Sequence, residues 1–150
     1  MTSISKSAAV SHSAEQMYEL VNDVEAYPSF LPWCTDSSII SRGDDYMTAS
    51  ISLAKGKVRQ TFTTRNTMLP GRRIEISLLK GPFKHLEGYW LFEPKDDHSC
   101  HVYIKMDFEF SNKLVRLALE KIFSHIINTL IETFTRRADQ IYGEQQQSQA

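Results

Sequence analysis

The sequence predicts an α+β fold, a curved antiparallel sheet of about seven strands wrapped around one long C-terminal helix. Three observations carry this. From Lys113 to Tyr142 the chain reads KLVRLALEKIFSHIINTLIETFTRRADQIY, with no glycine or proline. At 100° per residue, Val115, Leu119, Ile122, Phe123, Ile126, Leu130 and Phe134 fall on one stripe of that helix, flanked by Ile127 and Ile141. Between residues 46 and 110 the apolar period switches to two, and the runs are separated by short turn signals, so neighbouring strands pair antiparallel with one dry face. At ~1.5 Å per residue the helix is about 45 Å long, the one element large enough to cover that face.

Taken in order, Ile4 to Val10 reads as a first strand. Ser13-x-x-Gln16 is a capping box ahead of a short helix through Met17, Leu20 and Val21. Glu25 to Cys34 is a short helical or turn-rich piece interrupted by Pro28 and Pro32. A strand near Thr35 to Arg42 precedes the alternating runs. In these, Met47, Ala49, Ile51 and Leu53 share one face. Val58, Phe62 and Met68 oppose Arg59, Thr61, Thr63 and Arg65, and Ile74, Ile76 and Leu78 form the next inward set. Leu86, Gly88, Trp90 and Phe92 follow, then Cys100, Val102, Ile104, Met106, Phe108 and Phe110. Turns are signalled at 43–45, 55–57, 70–71, 81–82 and 94–99. Ser111 or Asn112 caps the long helix, and Gly143 stands where a left-handed C′ glycine belongs. One domain is expected over 1–143, followed by a disordered polar tail over 144–150.

The chain has 150 residues, 41% hydrophobic and 23% charged, an ordinary globular composition. No apolar run has the ~20 residues of a membrane helix, and no signal-peptide pattern opens the chain. Cys34 and Cys100 have no CxxC partner, which argues against a metal knuckle or disulfide framework and for a cytoplasmic location. The net charge of −1 hides a basic block. Residues 55–90 carry eight basic and two acidic side chains, against two basic and seven acidic in residues 1–54. Such a block makes a local positive surface on a near-neutral protein.

Three stretches carry a resemblance. The first is Tyr18-x-x-Val21-x-Asp23-Val24-x-x-Tyr27-Pro28-x-Phe30-Leu31-Pro32-Trp33-Cys34. The second is Gly81-Pro82-Phe83-Lys84-x-Leu86-x-Gly88-x-Trp90-x-Phe92. The third is Phe108-x-Phe110-Ser111 followed by Phe123, Phe134, Arg137-Ala138 and Tyr142-Gly143. Together with the order of elements, they resemble the coenzyme-Q-binding START-like family, whose fold is the helix-grip or Bet v 1-like one. The second stretch is similar to its bacterial branch of ribosome-association toxins. The resemblance spans roughly residues 2–143. It implies a hydrophobic ligand of the polyprenyl quinone (ubiquinone) type, no other cofactor and no catalysis. It also implies association with the large ribosomal subunit and a block of subunit joining.

The expected ligand site lies between sheet and helix. Val21, Tyr27, Phe30, Leu31 and Trp33 supply a lid. Ile51, Phe62, Leu86, Gly88, Trp90, Met106 and Phe108 supply the sheet wall, and Phe123, Ile126, Ile127 and Leu130 the helix wall. Gly88 is expected to leave room for the ligand beside Leu86 and Trp90. The same pattern also suits a close-packed core. A void of 300 Å³ would cost about 7 kcal/mol at ~24 cal/mol per Å³, against a typical domain stability of ~5–15 kcal/mol. A full-sized pocket must therefore be filled or partly collapsed.

Catalytic groups are not arranged in the sequence. His12 and His98 fall in turns, His85 and His101 take outward parity, and His125 lies at the edge of the helix stripe. None has metal-ligand spacing. Cys34 sits near Asp23 and Asp36, which raise rather than lower a thiol pKa. A START-like polyketide cyclase/aromatase or hydrolase-type enzyme is the alternative. In the basic block, Lys55, Lys57 and Arg59 are read as sharing a parity across a turn, with Arg65, Arg72, Arg73, Lys80 and Lys84 on neighbouring strands. Such a surface suits phosphates of ribosomal RNA, or alternatively an anionic membrane surface met transiently. No aromatic residues interleave with the charges, so base stacking is not expected, and DNA is not an expected partner. Arg137 returns to the apolar stripe and is expected to snorkel past the sheet edge.

Overall fold

A computed structural model describes residues 1–143; the expected tail, 144–150, lies outside the described residues. The elements are β1 (Thr2–Val10), α1 (Ala14–Asn22), a 3₁₀ segment (Val24–Ser29), β2 (Cys34–Arg42), β3 (Tyr46–Lys55), β4 (Val58–Leu69), β5 (Arg73–Lys80), β6 (Phe83–Asp96), β7 (Ser99–Phe110) and α2 (Lys113–Ala138). One seven-stranded antiparallel sheet has the order β1-β7-β6-β5-β4-β3-β2. β2 to β7 is thus a meander of hairpins, and β1 returns to pair with β7 from Thr2↔Phe108 to Val10↔Cys100. Register shifts at Cys34/Asp36, Ile39/Ser41, Thr63/Thr64, Phe83/His85 and Pro94/Asp96 bend the strands, because a bulged strand shortens against its partner and curls.

Local chemistry sets the element ends. Ser13 Oγ accepts from Gln16 N–H at 3.1 Å while Gln16 Oε1 accepts from Ser13 N–H at 3.1 Å, which completes the capping box. Asn112, rather than Ser111, caps α2: its Oδ1 accepts from Val115 N–H at 2.9 Å. Gly56 turns the β3–β4 hairpin with a φ of 60°, a conformation that disfavours a side chain.

The end of α2 differs from expectation. The α-helix stops at Ala138, and Asp139–Gly143 widens into one π turn. Gly143 has no positive φ, so it is not a C′ glycine. The end is tethered instead of capped. His12, 2% exposed in the turn after β1, meets Asp139 Oδ1 through Nε2 at 2.7 Å. The Tyr142 ring lies 6.1 Å from that imidazole.

The buried stripe of α2 is also rotated. Leu119, Phe123, Ile126, Ile127, Ile131, Phe134 and Ala138 are buried, whereas Val115, Ile122 and Leu130 are half-buried and Ile141 is exposed. The reason is that α2 packs on β1, β7 and α1, at one side of the sheet. Leaning that way drives Ile131 onto β1 and leaves Ile122 and Leu130 towards β3 and β4. Replacing Ile131 with Ala should therefore lower stability by ~2–5 kcal/mol, while Leu114→Ala, at a side chain 80% exposed, should change it by less than ~0.5 kcal/mol. Urea unfolding of both variants checks this.

Candidate functional site

With α2 leaning on β1 and β7, the inner face of β3 to β6 is covered at a distance. The segment from Val24 to Trp33 closes the third side. Tyr27 and Phe30 meet Phe134 of α2 edge-on at 5.6 and 5.5 Å, and Ala54 N–H bonds Trp33 C=O at 2.9 Å, which pins the segment to β3. The space between them is a partly open apolar cavity of ≈ 90 Å³. At ~24 cal/mol per Å³ a void of that size costs about 2 kcal/mol, which one domain tolerates where 300 Å³ would not be.

The structure brings Tyr27, Leu31, Trp33, Ile51, Phe62, Leu86, Trp90, Met106, Phe123, Ile126, Ile127 and Leu130 around this cavity. Four of the residues assigned to it lie elsewhere. Val21 is buried behind it, and its carbonyl accepts from Tyr27 Oη–H. Phe30 lies outside, on the far side of Trp33, lining a surface groove. Phe108 belongs to an aromatic cluster with Phe83, Phe110 and Phe123. Gly88 leaves no room: a Cβ there would lie 2.2 Å from Lys105 O and 2.4 Å from Met106 Sδ. The glycine lets β7 and the Met106 side chain approach, and Met106 takes the space expected for a ligand.

Val24, Leu53, Thr64, Asn66, Ile76, Ile104 and Phe134 also line the cavity. For Thr64 and Asn66 a signal was present: they continue the inward parity of Val58, Phe62 and Met68, masked by being polar. Both are buried, at 4% and 8% exposure, and Thr64 Oγ1 donates to Asn66 Oδ1 at 2.9 Å. Among the described residues, Thr64 is the hydrogen-bond partner of the Asn66 side chain. No hydrogen bond from its amide NH₂ is found among the described residues, and these N–H groups stay accessible rather than sealed away.

The titratable groups nearby favour their neutral forms. Burial raises the Tyr27 hydroxyl well above its ordinary value, with Cys34 and then Asp23 adding to the shift. Burial pushes the Cys34 thiol up to about 11, against the Asp36 backbone bond that lowers it. Burial likewise pushes Cys100 up to about 11. Among the described residues, no group of three His, Cys, Asp or Glu is placed to hold a metal ion, and Tyr27 is the only acid–base side chain lining the cavity.

The basic block is not one patch. The β3–β4 hairpin has the two-residue loop Gly56-Lys57 and pairs Lys55 with Val58 and Ala54 with Arg59. Lys55 therefore takes the inner parity and Arg59 the outer, so the shared parity read from the sequence fails across the turn. Arg59, Arg65 and Arg73 lie on the outer face. There Arg65 covers the Tyr46 ring at 4.3 Å and Arg73 the Tyr89 ring at 4.5 Å, so aromatics do accompany these charges, from neighbouring strands. Arg73 also pairs with Glu75 at 3.1 Å. Arg72 lies in the β4–β5 turn, at the opposite end of the sheet from Lys57. Lys80 and Lys84 flank the β5–β6 turn at the Lys57 end, where Ser111 N–H bonds Pro82 C=O at 3.0 Å. α2 begins here, and Lys84, Lys113 and Arg116 border one groove. Lys113 and Arg116 thus join a basic end that the charge count of residues 55–90 could not include. Arg137 lies 5.0 Å over the Phe30 ring, its Nε buried without a partner.

Residues 10–135 match the model of a family described as polyketide cyclase/dehydrase and lipid transport. The chain is 47% identical to the ribosome association toxin RatA of Vibrio cholerae, covering 96% of this chain and 100% of that protein. It is 28% identical to the mitochondrial coenzyme Q-binding protein COQ10 homolog B of Xenopus laevis, covering 95% of this chain and 60% of that one. Its backbone matches the Zhui aromatase/cyclase of a Streptomyces species with a TM-score of 0.82 over 92% of this chain and 93% of that one. At 18% identity that likeness is one of fold.

Two predictions follow from the geometry. Gly88→Leu should fail to fold, or fold with Met106 expelled, rather than give a native protein with a filled pocket; circular dichroism and the melting temperature decide. The thiols of Cys34 and Cys100 rise from 9.0 to about 11, so the folded state holds protons that the unfolded state releases between those values. Stability should be fully present below pH 9 and decline as pH climbs through 11. Urea midpoints at pH 8 and 10.5 should show the decline, and a Cys34→Ala/Cys100→Ala variant should flatten it.

Proposed function

This chain belongs to the polyketide cyclase/dehydrase and lipid transport family, and we propose that it acts there as a ligand-binding module without catalysis, taking an apolar ligand of the polyprenyl quinone type between sheet and α2. The observation that carries this is the chemistry of the cavity wall. Aromatic and aliphatic side chains surround a space that one polar pair interrupts. An acyl transfer or aldol step needs a group that exchanges protons near neutral pH, and burial moves the Tyr27 hydroxyl away from that range. The coenzyme Q-binding name of the Xenopus relative supports the ligand class. Because the cavity measures ≈ 90 Å³ and ligand pockets run about 300–1,000 Å³, binding must open it. Trp33, Ile51, Phe62 and Leu130 are among the half-buried residues at hand for that motion.

A second role is favoured by the basic end of the molecule. We propose that Lys55, Lys57, Lys80, Lys84, Lys113 and Arg116 meet ribosomal RNA phosphates on the large subunit, where occupation of the joining face would block subunit joining. The similarity to the Vibrio cholerae ribosome association toxin supports this partner. All six are exposed, whereas Arg73 is engaged by Glu75 and Tyr89.

Native mass spectrometry of protein isolated from cells should find a quinone-sized adduct; an adduct-free protein from quinone-replete cells counts against the ligand role. In ribosome gradients, charge reversal of Lys57, Lys84 and Arg116 should weaken large-subunit co-sedimentation at least about tenfold, and binding should fall steeply between 50 and 200 mM salt. Reversal of Arg59, Arg65 and Arg73 should have the smaller effect. The opposite order contradicts the basic-end docking.

A further inference from the structure

We infer that Asn66 is the polar anchor of the cavity: its side-chain amide donates to a carbonyl or ether oxygen on the head of the ligand, which enters head first. This rests on the reading that the cavity takes an apolar ligand. An amide with unused donors is left over inside an otherwise apolar chamber. Asn66 is 8% exposed and lines the cavity. An amide has two N–H donors and a carbonyl acceptor, and only the acceptor is used, by Thr64 Oγ1 at 2.9 Å. The other hydroxyls on the wall are engaged, Thr64 by Asn66 and Tyr27 by Val21 C=O. The unused donors select a ligand oxygen that accepts, such as a quinone or ketone carbonyl or a ring methoxy group. It does not suit a hydrocarbon.

The position fixes the orientation. Trp33 and Ile126 line both the cavity and an outer groove of ≈ 610 Å³ that also includes Phe30, Pro32 and Ile122, so these two side chains stand between interior and surface. Phe62 is half-buried on β4, and Asn66 lies four residues further along the same strand, ~13 Å away at ~3.3 Å per residue. There it pairs with Met47 on one side and Ile76 on the other. A ligand held by Asn66 places its ring among Trp90, Ile104 and Ile76 and sends its chain out past Trp33 into the groove.

The test uses the full chain and two probes with the same decyl tail, a dimethoxybenzoquinone and an oxygen-free toluene, titrated calorimetrically into wild type and Asn66→Leu. The anchor predicts that Asn66→Leu weakens the quinone about tenfold, one good hydrogen bond, and leaves the hydrocarbon unchanged or tighter. Equal quinone affinity in both proteins, or equal loss of both probes, overturns it. Wild type binding neither probe removes the cavity reading itself, a separate result. Infrared spectra of the carbonyl-labelled quinone on wild type give a readout that no variant's folding affects. A carbonyl band shifted down from its position in hexane supports the anchor, and an unshifted band overturns it. In Asn66→Leu, which has no donor, the shift should vanish.

Discussion

One helix has to keep water off one face of a seven-stranded sheet. Six inter-strand spacings of ~4.8 Å make that sheet about 29 Å wide, whereas an α-helix with its side chains is ~10–12 Å across. No placement of α2 covers the whole face. The chain meets the deficit by bending the strands, by leaning α2 on β1 and β7, and by drawing the Val24 to Trp33 segment over the remainder. Where these three covers meet, side chains do not quite fill the space, and the cavity is what remains. Its position is a consequence of widths, and its contents are a consequence of which side chains the strands aim inward.

The cavity is a compromise between two penalties. Closing it fully would need larger side chains on β4, where Thr64 and Asn66 stand, and would give a tighter core. Leaving it at the size of a bound quinone would cost more than one domain can tolerate when empty. The observed ≈ 90 Å³ lies between, small enough to stand empty and bordered by half-buried residues that can shift. The outer surface follows a separate logic. The basic end gathers residues from the β3–β4 hairpin, the β5–β6 turn and the start of α2, which meet because an antiparallel meander brings alternate turns to the same end.

The architecture was legible because the signals were strong and local. Parity along β3 to β7, turn residues and the uninterrupted run in α2 named the elements, and the capping box at Ser13 and Gln16 was found in place. The failures have physical causes. Periodicity gives the width of a helical stripe but not its rotation, which depends on where the helix leans, so Ile131 was missed and Ile122 overrated. Polar residues at inward positions look like breaks in a pattern, so Thr64 and Asn66 were passed over. A glycine shows that something approaches closely, not what approaches, and at Gly88 it is Met106. Charges counted along the chain do not reveal that a two-residue turn puts Lys55 and Arg59 on opposite faces, or that Lys113 and Arg116 arrive from α2. The contact of buried His12 with exposed Asp139 joins positions 127 apart in sequence, beyond any local pattern.

The most direct test of the account is whether the space behind Trp33 admits a ligand. Trp33 and Trp90 are the two tryptophans of the chain, and Trp90 is 3% exposed on the cavity wall. In a Trp33→Phe background, Trp90 fluorescence reports on the interior during titration with a short-tailed benzoquinone. The account predicts saturable quenching that ends near one equivalent. Quenching that stays linear with concentration, as for collisions at the surface, would contradict it.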